Sequence, residues 1–252
     1  MRPEVSPPDI SVLMATHDRP EMLRLGIGHF LRQRDVHAEL IVVDDSVVPG
    51  RIPDVPGIRL LRVERGMPLG GKLNAAAERA RGHVFAKWDD DDYYGPGYLA
   101  TMAAFLRDSR AKVVFVQPFL CYDLIADTLR VSDGHRCSGA TLTMARHTWA
   151  TTPFPHVREA VDATFLLDVV TATGPESCAG LDVGGEFIQV RHDGHLWTHM
   201  PDGQPVSDYL TGCAISGLRL GEVVDRRTIE GWARRREELM AGSRPLTTTP
   251  TR

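Results

Sequence analysis

Four consecutive carboxylates, Asp89 to Asp92, follow the apolar-leaning stretch "HVFAKW" and run on into "YYGPGYL". Adjacent like charges repel, and an ionised carboxylate near a protein interior is costly unless a positive group faces it. Two carboxylates one residue apart on a short turn can offer oxygens to one hard divalent cation, Mg2+ or Mn2+, leaving positions for water and phosphate oxygens. Lys72 precedes this run in "LGGKLN". There Gly70 and Gly71 allow close backbone approach, the following helix start favours an anion, and the lysine adds a point charge. The segment is no P-loop, because the glycine-lysine-serine/threonine spacing is absent. Together the two segments read as opposite sides of one diphosphate site. Asp44 and Asp45 close another apolar run, "AELIVVDD", Asp162 sits in "REAVDATFLL", and His192, His195 and His199 group in "VRHDGHLWTHM".

The elements that must hold these residues follow from hydrophobic pattern and breakers. "DISVLMAT" predicts a strand that turns into the helix "HDRPEMLRLGIGHFLRQ", with Asp18 as cap, Pro20 in the first turn and Glu21 completing a capping box. "AELIVVDD", "IRLLRVE" and "HVFAKW" predict further strands, and "AKVVFVQPFL" a fifth. "GGKLNAAAERARG" reads as a glycine turn, a helix and a terminating Gly82, and "GPGYLATMAAFLRDS" as the next helix. This alternation predicts an α/β fold with a doubly wound, mostly parallel central sheet flanked by helices, whose ligands bind at the strands' carboxyl ends. Beyond residue 120 the pattern loosens into a smaller mixed region, with "ATLTMARHTW" a strand, "REAVDATFLLDVVTATG" a helix and "EVVDRRTIEGWARRREELMAG" a terminal amphipathic helix. We expect one domain over residues 1–242: a half over about 9–120, a second half over about 121–220, a helix over 221–242, and a disordered tail over 243–252.

A formal net charge of −4 provides no electrostatic footprint for nucleic acid. No window approaches the ~18 apolar residues of a membrane span, so the expectation is a cytoplasmic protein, at most peripheral to a membrane. Cys121, Cys137, Cys178 and Cys213 include no C-x-x-C pair, so free thiols are expected.

The succession "SVLMATHDRPEML", "LIVVDDS" and "GGKLNAAAERARGHVFAKWDDDDYYGPGYL" resembles the nucleotide-sugar-binding half of glycosyltransferase family 2, whose fold is the GT-A type. The resemblance covers roughly residues 9 to 106 and implies a UDP-, GDP- or dTDP-sugar donor. It places Thr16, His17 and Arg19 at the nucleobase and Asp44 with Asp45 at base or ribose. The family's D-x-D element falls within residues 89 to 92, which implies Asp91 as metal ligand, with Asp89 or Asp90 reaching the ribose or sharing the cation. His192 matches a histidine facing the diphosphate or metal. An inverting transfer needs a base near the acceptor hydroxyl, and the resemblance implies Asp162, with Glu159 the alternative; the acceptor itself is not implied. The rival readings are a sugar-phosphate nucleotidyltransferase and a nucleotide-sugar-binding protein with a decayed site.

Overall fold

The structure, a computed structural model, describes residues 8–192, 210 and 212–242. Strand β1 (Ile10–Thr16) is apolar on both faces because both are covered. Val12 and Met14 enter one core layer and Leu13 the other. Parallel to β1 on one side run β2 (Ala38–Asp44) and then β3 (Ile58–Arg62). On its other side runs β4 (Val84–Asp89), also parallel. The chain leaves β1 for β2 and β3 and then crosses back to β4, so the strand order reverses between β1 and β4. In open α/β sheets ligands bind in the crevice above such a point.

Beyond β4 the seven-stranded sheet continues through β9 (Thr143–Ala145), β6 (Val113–Val116) and β10 (Cys178–Leu181). Strand β9 is antiparallel to both its neighbours. One face is covered by α1 (Pro20–Leu31) and α3 (Tyr98–Asp108), the other by α2 (Leu69–Arg79) and α5 (Val161–Thr173). A second, mixed sheet of five strands runs in the order β12 (Ala214–Ile215), β8 (Thr128–Val131), β7 (Leu120–Asp123), β11 (Phe187–Arg191) and β5 (Tyr93–Tyr94). Its apolar layer includes Trp232 of the C-terminal helix, which stacks on Tyr122 with ring centroids 5.2 Å apart.

Several local expectations are corrected. Asp18 does not cap α1: it takes a left-handed φ of 49°, its N–H donates to Ser46 Oγ at 2.6 Å and its carboxylate accepts the Val47 N–H at 3.0 Å. It ties the loop after β1 to the loop after β2, and Glu21 pairs with Arg24 at 3.0 Å instead of closing a capping box. Gly70 and Gly71 lie inside the first turn of α2, not in a turn before it. A Cβ on Gly70 would stand 1.7 Å from the Pro155 carbonyl oxygen, so the glycine serves close packing of the 155–157 chain. Helix α2 ends at Arg79, ahead of Gly82. The expected fifth strand is two strands in different sheets, β6 and β7, because Pro118 has no N–H to continue a ladder. The expected strand over "ATLTMARHTW" is a short strand, β9, followed by α4 (Arg146–Thr151). The terminal helix is broken into α6 (Leu220–Val223) and α7 (Arg226–Gly242), since the Asp225 carboxylate accepts the Thr228 N–H at 3.1 Å and starts a new helix. His195, Trp197, His199 and the tail lie outside the described residues.

Candidate active site

The carboxyl ends of β1, β2 and β4 carry the acids. Asp90 is buried: Thr16 Oγ1 donates to its Oδ2 at 2.6 Å and the Arg19 guanidinium reaches its Oδ1 at 2.6 Å. Arg19 also reaches Asp91 Oδ2 at 2.5 Å. Burial would lower the Arg19 pKa, but the charges of Asp90 and Asp91 outweigh it and hold the guanidinium firmly protonated. The first positive partner of the acidic run is thus Arg19, from the loop after β1. Asp90 is raised to about 6, by burial first and then by repulsion from Asp91 working against Arg19.

Asp89, Asp91 and Asp92 each present an oxygen within 4.8 Å of the others. Asp92 Oδ1 accepts the Val190 N–H at 2.9 Å, and burial together with repulsion from Asp91 and Asp89 pushes its pKa well up. His192 Nε2 lies 3.1 Å from Asp91 Oδ2. Three convergent carboxylates beside an imidazole make an oxygen-rich donor set that suits a hard divalent cation. The structure therefore brings Asp89, Asp91 and His192 together, adds Asp92, and turns Asp90 inward. The sequence signal for Asp92 was present, but four acids in a row conceal which ones point the same way.

A second positive partner is Lys87, which sequence reasoning did not single out. Its ammonium is fully buried and lies 2.8 Å from Asp89 Oδ1 and 3.3 Å from Asp162 Oδ1. Burial lowers its pKa, but Asp162 and Asp89 outweigh this and keep it charged. A signal existed: Lys87 and Asp89 are two apart on one strand and share a face. Asp162 is the second residue of α5, whose N-terminus favours negative charge. Its pKa is raised to about 6, by burial first and by repulsion from Asp89, with Lys87 pulling the other way. Its side chain remains 28% exposed. Glu159 lies before the helix and is exposed.

On the β2 side, Asp44 is fully buried; it accepts the N–H groups of Ser46 and Gly50, each at 2.8 Å, and pairs with Arg62 at 2.7 Å. Its pKa is lowered, because these hydrogen bonds overcome burial. Asp45 accepts the Gly66 N–H at 2.8 Å, lies 2.8 Å from His17 Nδ1 and contacts the Lys72 ammonium. Burial opposes these partners, led by Lys72, but they bring Asp45 down to about 2. Lys72 is itself buried and donates to the Thr16 carbonyl at 3.1 Å, so it braces the β1 and β2 loops from within. His17 is 47% exposed and faces outward over Asp45.

Comparison with known proteins adds to this geometry. Residues 11–158 match the family described as Glycosyl transferase family 2. Over 99 residues the chain is 31% identical to the uncharacterized glycosyltransferase YwdF of Bacillus subtilis, covering 37% of each chain. The fold is similar to S. aureus TarS in complex with UDP-GlcNAc, with a TM-score of 0.57, 16% identity, and coverage of 74% of this chain and 60% of that one. It is also similar to the mannosyltransferase PcManGT of Pyrobaculum calidifontis in complex with GDP-Man and Mn2+, at a TM-score of 0.55, 14% identity and coverage of 74% and 57%. The chain thus spans 37% of its curated relative and about three-fifths of these structures. With more than half its length matched, and with the doubly wound mostly parallel sheet of the GT-A type, the chain belongs to glycosyltransferase family 2.

Proposed function

We propose that this chain transfers a sugar from a nucleotide-diphosphate sugar to an acceptor hydroxyl with inversion at the anomeric carbon. The observation that carries this reading is that a single ammonium, Lys87, touches both Asp89 and Asp162. A candidate base thereby stands beside the candidate metal carboxylates, in the crevice where the strand order reverses.

Asp89, Asp91 and Asp92, with His192 alongside, would hold a divalent cation, Mg2+ or Mn2+, which when bound supplies positive charge for a departing diphosphate. The rest of the work belongs to the chain. Asp162, with a pKa raised to about 6, is a carboxylate at neutral pH yet basic enough to accept the acceptor hydroxyl's proton. The proton leaves as that oxygen attacks the face opposite the nucleotide. His17 and Asp45, with Thr16, Arg19 and Asp44 behind them, form the wall on which base and ribose would rest. Lys72 acts there by holding Asp45 ionised. Among the described residues no helix is long and apolar enough to cross a membrane, and we place the chain in the cytoplasm or at the edge of a membrane-bound pathway.

Calorimetric titration with UDP-, GDP- and dTDP-sugars, with Mn2+ and with EDTA, tests the reading. Metal-dependent binding of an intact nucleotide sugar is expected. Preference for a nucleoside triphosphate plus a sugar phosphate would favour a nucleotidyltransferase instead, and binding of no nucleotide at all would sink both.

A further inference from the structure

Lys87 sits in the middle of β4 with its side chain fully buried. The ammonium donates to Asp89 Oδ1 at 2.8 Å and to the Gly139 carbonyl at 3.1 Å, and it forms an ion pair with Asp162 Oδ1 at 3.3 Å. Burying an ion pair in this way is a poor device for stability, because an apolar side chain of similar volume serves a core at least as well. Gly139 makes a second, independent contact with the same acid. A Cβ built there would stand 2.3 Å from Asp162 Oδ2, so the carboxyl lies flat against a backbone that tolerates no side chain. One oxygen of Asp162 is ion-paired with Lys87 and the other packs against Gly139.

We propose that Lys87 and Gly139 form a seat that fixes Asp162 relative to the donor-side carboxylates, which makes Lys87 a positioning residue for deprotonation of the acceptor. This rests on the reading of Asp162 as the base. The physical need is geometric: a base must stay within hydrogen-bond reach of the attacking hydroxyl, and a misplacement of about 1 Å can lower turnover by about 10²-fold. The arrangement also couples the two halves of the site. Lys87 belongs to the same strand as Asp89, so one side chain contacts both the aspartate run and Asp162.

A double-mutant cycle tests the seat, following release of UDP from UDP-GlcNAc or of GDP from GDP-mannose in Mn2+, with water standing in for the acceptor hydroxyl. Lys87→Met is expected to lower kcat by about 10²-fold without weakening donor affinity measured by calorimetry. In the Asp162→Asn background the same substitution is expected to cost nothing further, since both act on one group. Gly139→Ala, which leaves the Lys87 charge in place, is expected to reproduce the kcat loss and the same non-additivity; it carries the test if Lys87→Met does not fold. Losses that multiply in the double variants would overturn the seat while leaving Asp162 as the base. Wild-type turnover by Asp162→Asn would instead overturn the base assignment and the seat together.

Discussion

The aspartates between residues 89 and 92 meet different sets of neighbours, although Arg19 reaches both Asp90 and Asp91, and their substitutions should separate accordingly. Asp90 is held by Thr16 and Arg19 and fastens the end of β4 to the loop after β1. Asp90→Ala is expected to lower stability by about 1–3 kcal/mol, the usual range for leaving buried hydrogen-bond partners unmatched, while a metal-dependent donor affinity persists in the folded fraction. Asp91→Ala removes a member of the convergent trio and is expected to abolish that affinity with a smaller change in stability. Urea midpoints and calorimetry on both variants check the contrast. The reverse pattern, with Asp90→Ala folded normally but unable to bind, would mean that Asp90 faces the ligand.

Two packing features give predictions for whole elements. Helix α2 can approach the 155–157 chain only because residue 70 has no side chain. Gly70→Ala should therefore push the helix away, with a loss of about 1–3 kcal/mol typical of overpacking and a lowered urea midpoint; an unchanged midpoint would show that the helix shifts without cost. At the opposite end of the sheet, Glu39 of β2 accepts from Ser11 Oγ at 2.7 Å, the Arg81 N–H at 2.6 Å and Arg59 Nη2 at 2.8 Å. Burial would raise its pKa, but the Ser11 and Arg81 hydrogen bonds and the Arg59 charge hold it below the usual glutamate value. A lowered folded pKa means that the unfolded chain takes up the proton first. The stabilisation is therefore complete above about pH 4.3 and is lost as pH falls through the folded value. Glu39→Gln is expected to cost about 1–2 kcal/mol at pH 7 and to flatten the acid limb of stability against pH. Chemical denaturation at pH 7 and pH 3 reads this, and a limb as steep as that of the unmodified chain would refute it.

At the scale of the molecule, the oxygens of Asp89, Asp91 and Asp92 converge only in the folded chain, so a cation bound there favours the native state. At a Mn2+ concentration 100-fold above Kd the gain is about 2.7 kcal/mol. Thermal unfolding with and without Mn2+ should show an upward shift in the parent chain and none in Asp91→Ala; an equal shift in both would place the ion elsewhere. Much of this was legible in the residues. The runs "SVLMAT", "LIVVDD" and "HVFAKWD" are mostly apolar, as strands covered on both faces are, and each ends in polar groups where the sheet's crevice lies. Local pattern was less reliable where a side chain had two possible partners: Asp18 matches a capping box by spacing but bonds to Ser46 and Val47 across the loops. By itself, then, the sequence determined the order of the elements from β1 to β4, the family and the end of the sheet that carries the acids, because the apolar runs, their breakers and the order of the motifs specify these. Only the tertiary structure decided that Asp90 turns inward while Asp92 joins the trio, that Lys72 serves Asp45, and that Lys87 joins Asp89 to Asp162. Those pairings bring together residues from different strands and helices, and they depend on how the strands register and where the helices cross, which no local pattern of residues encodes.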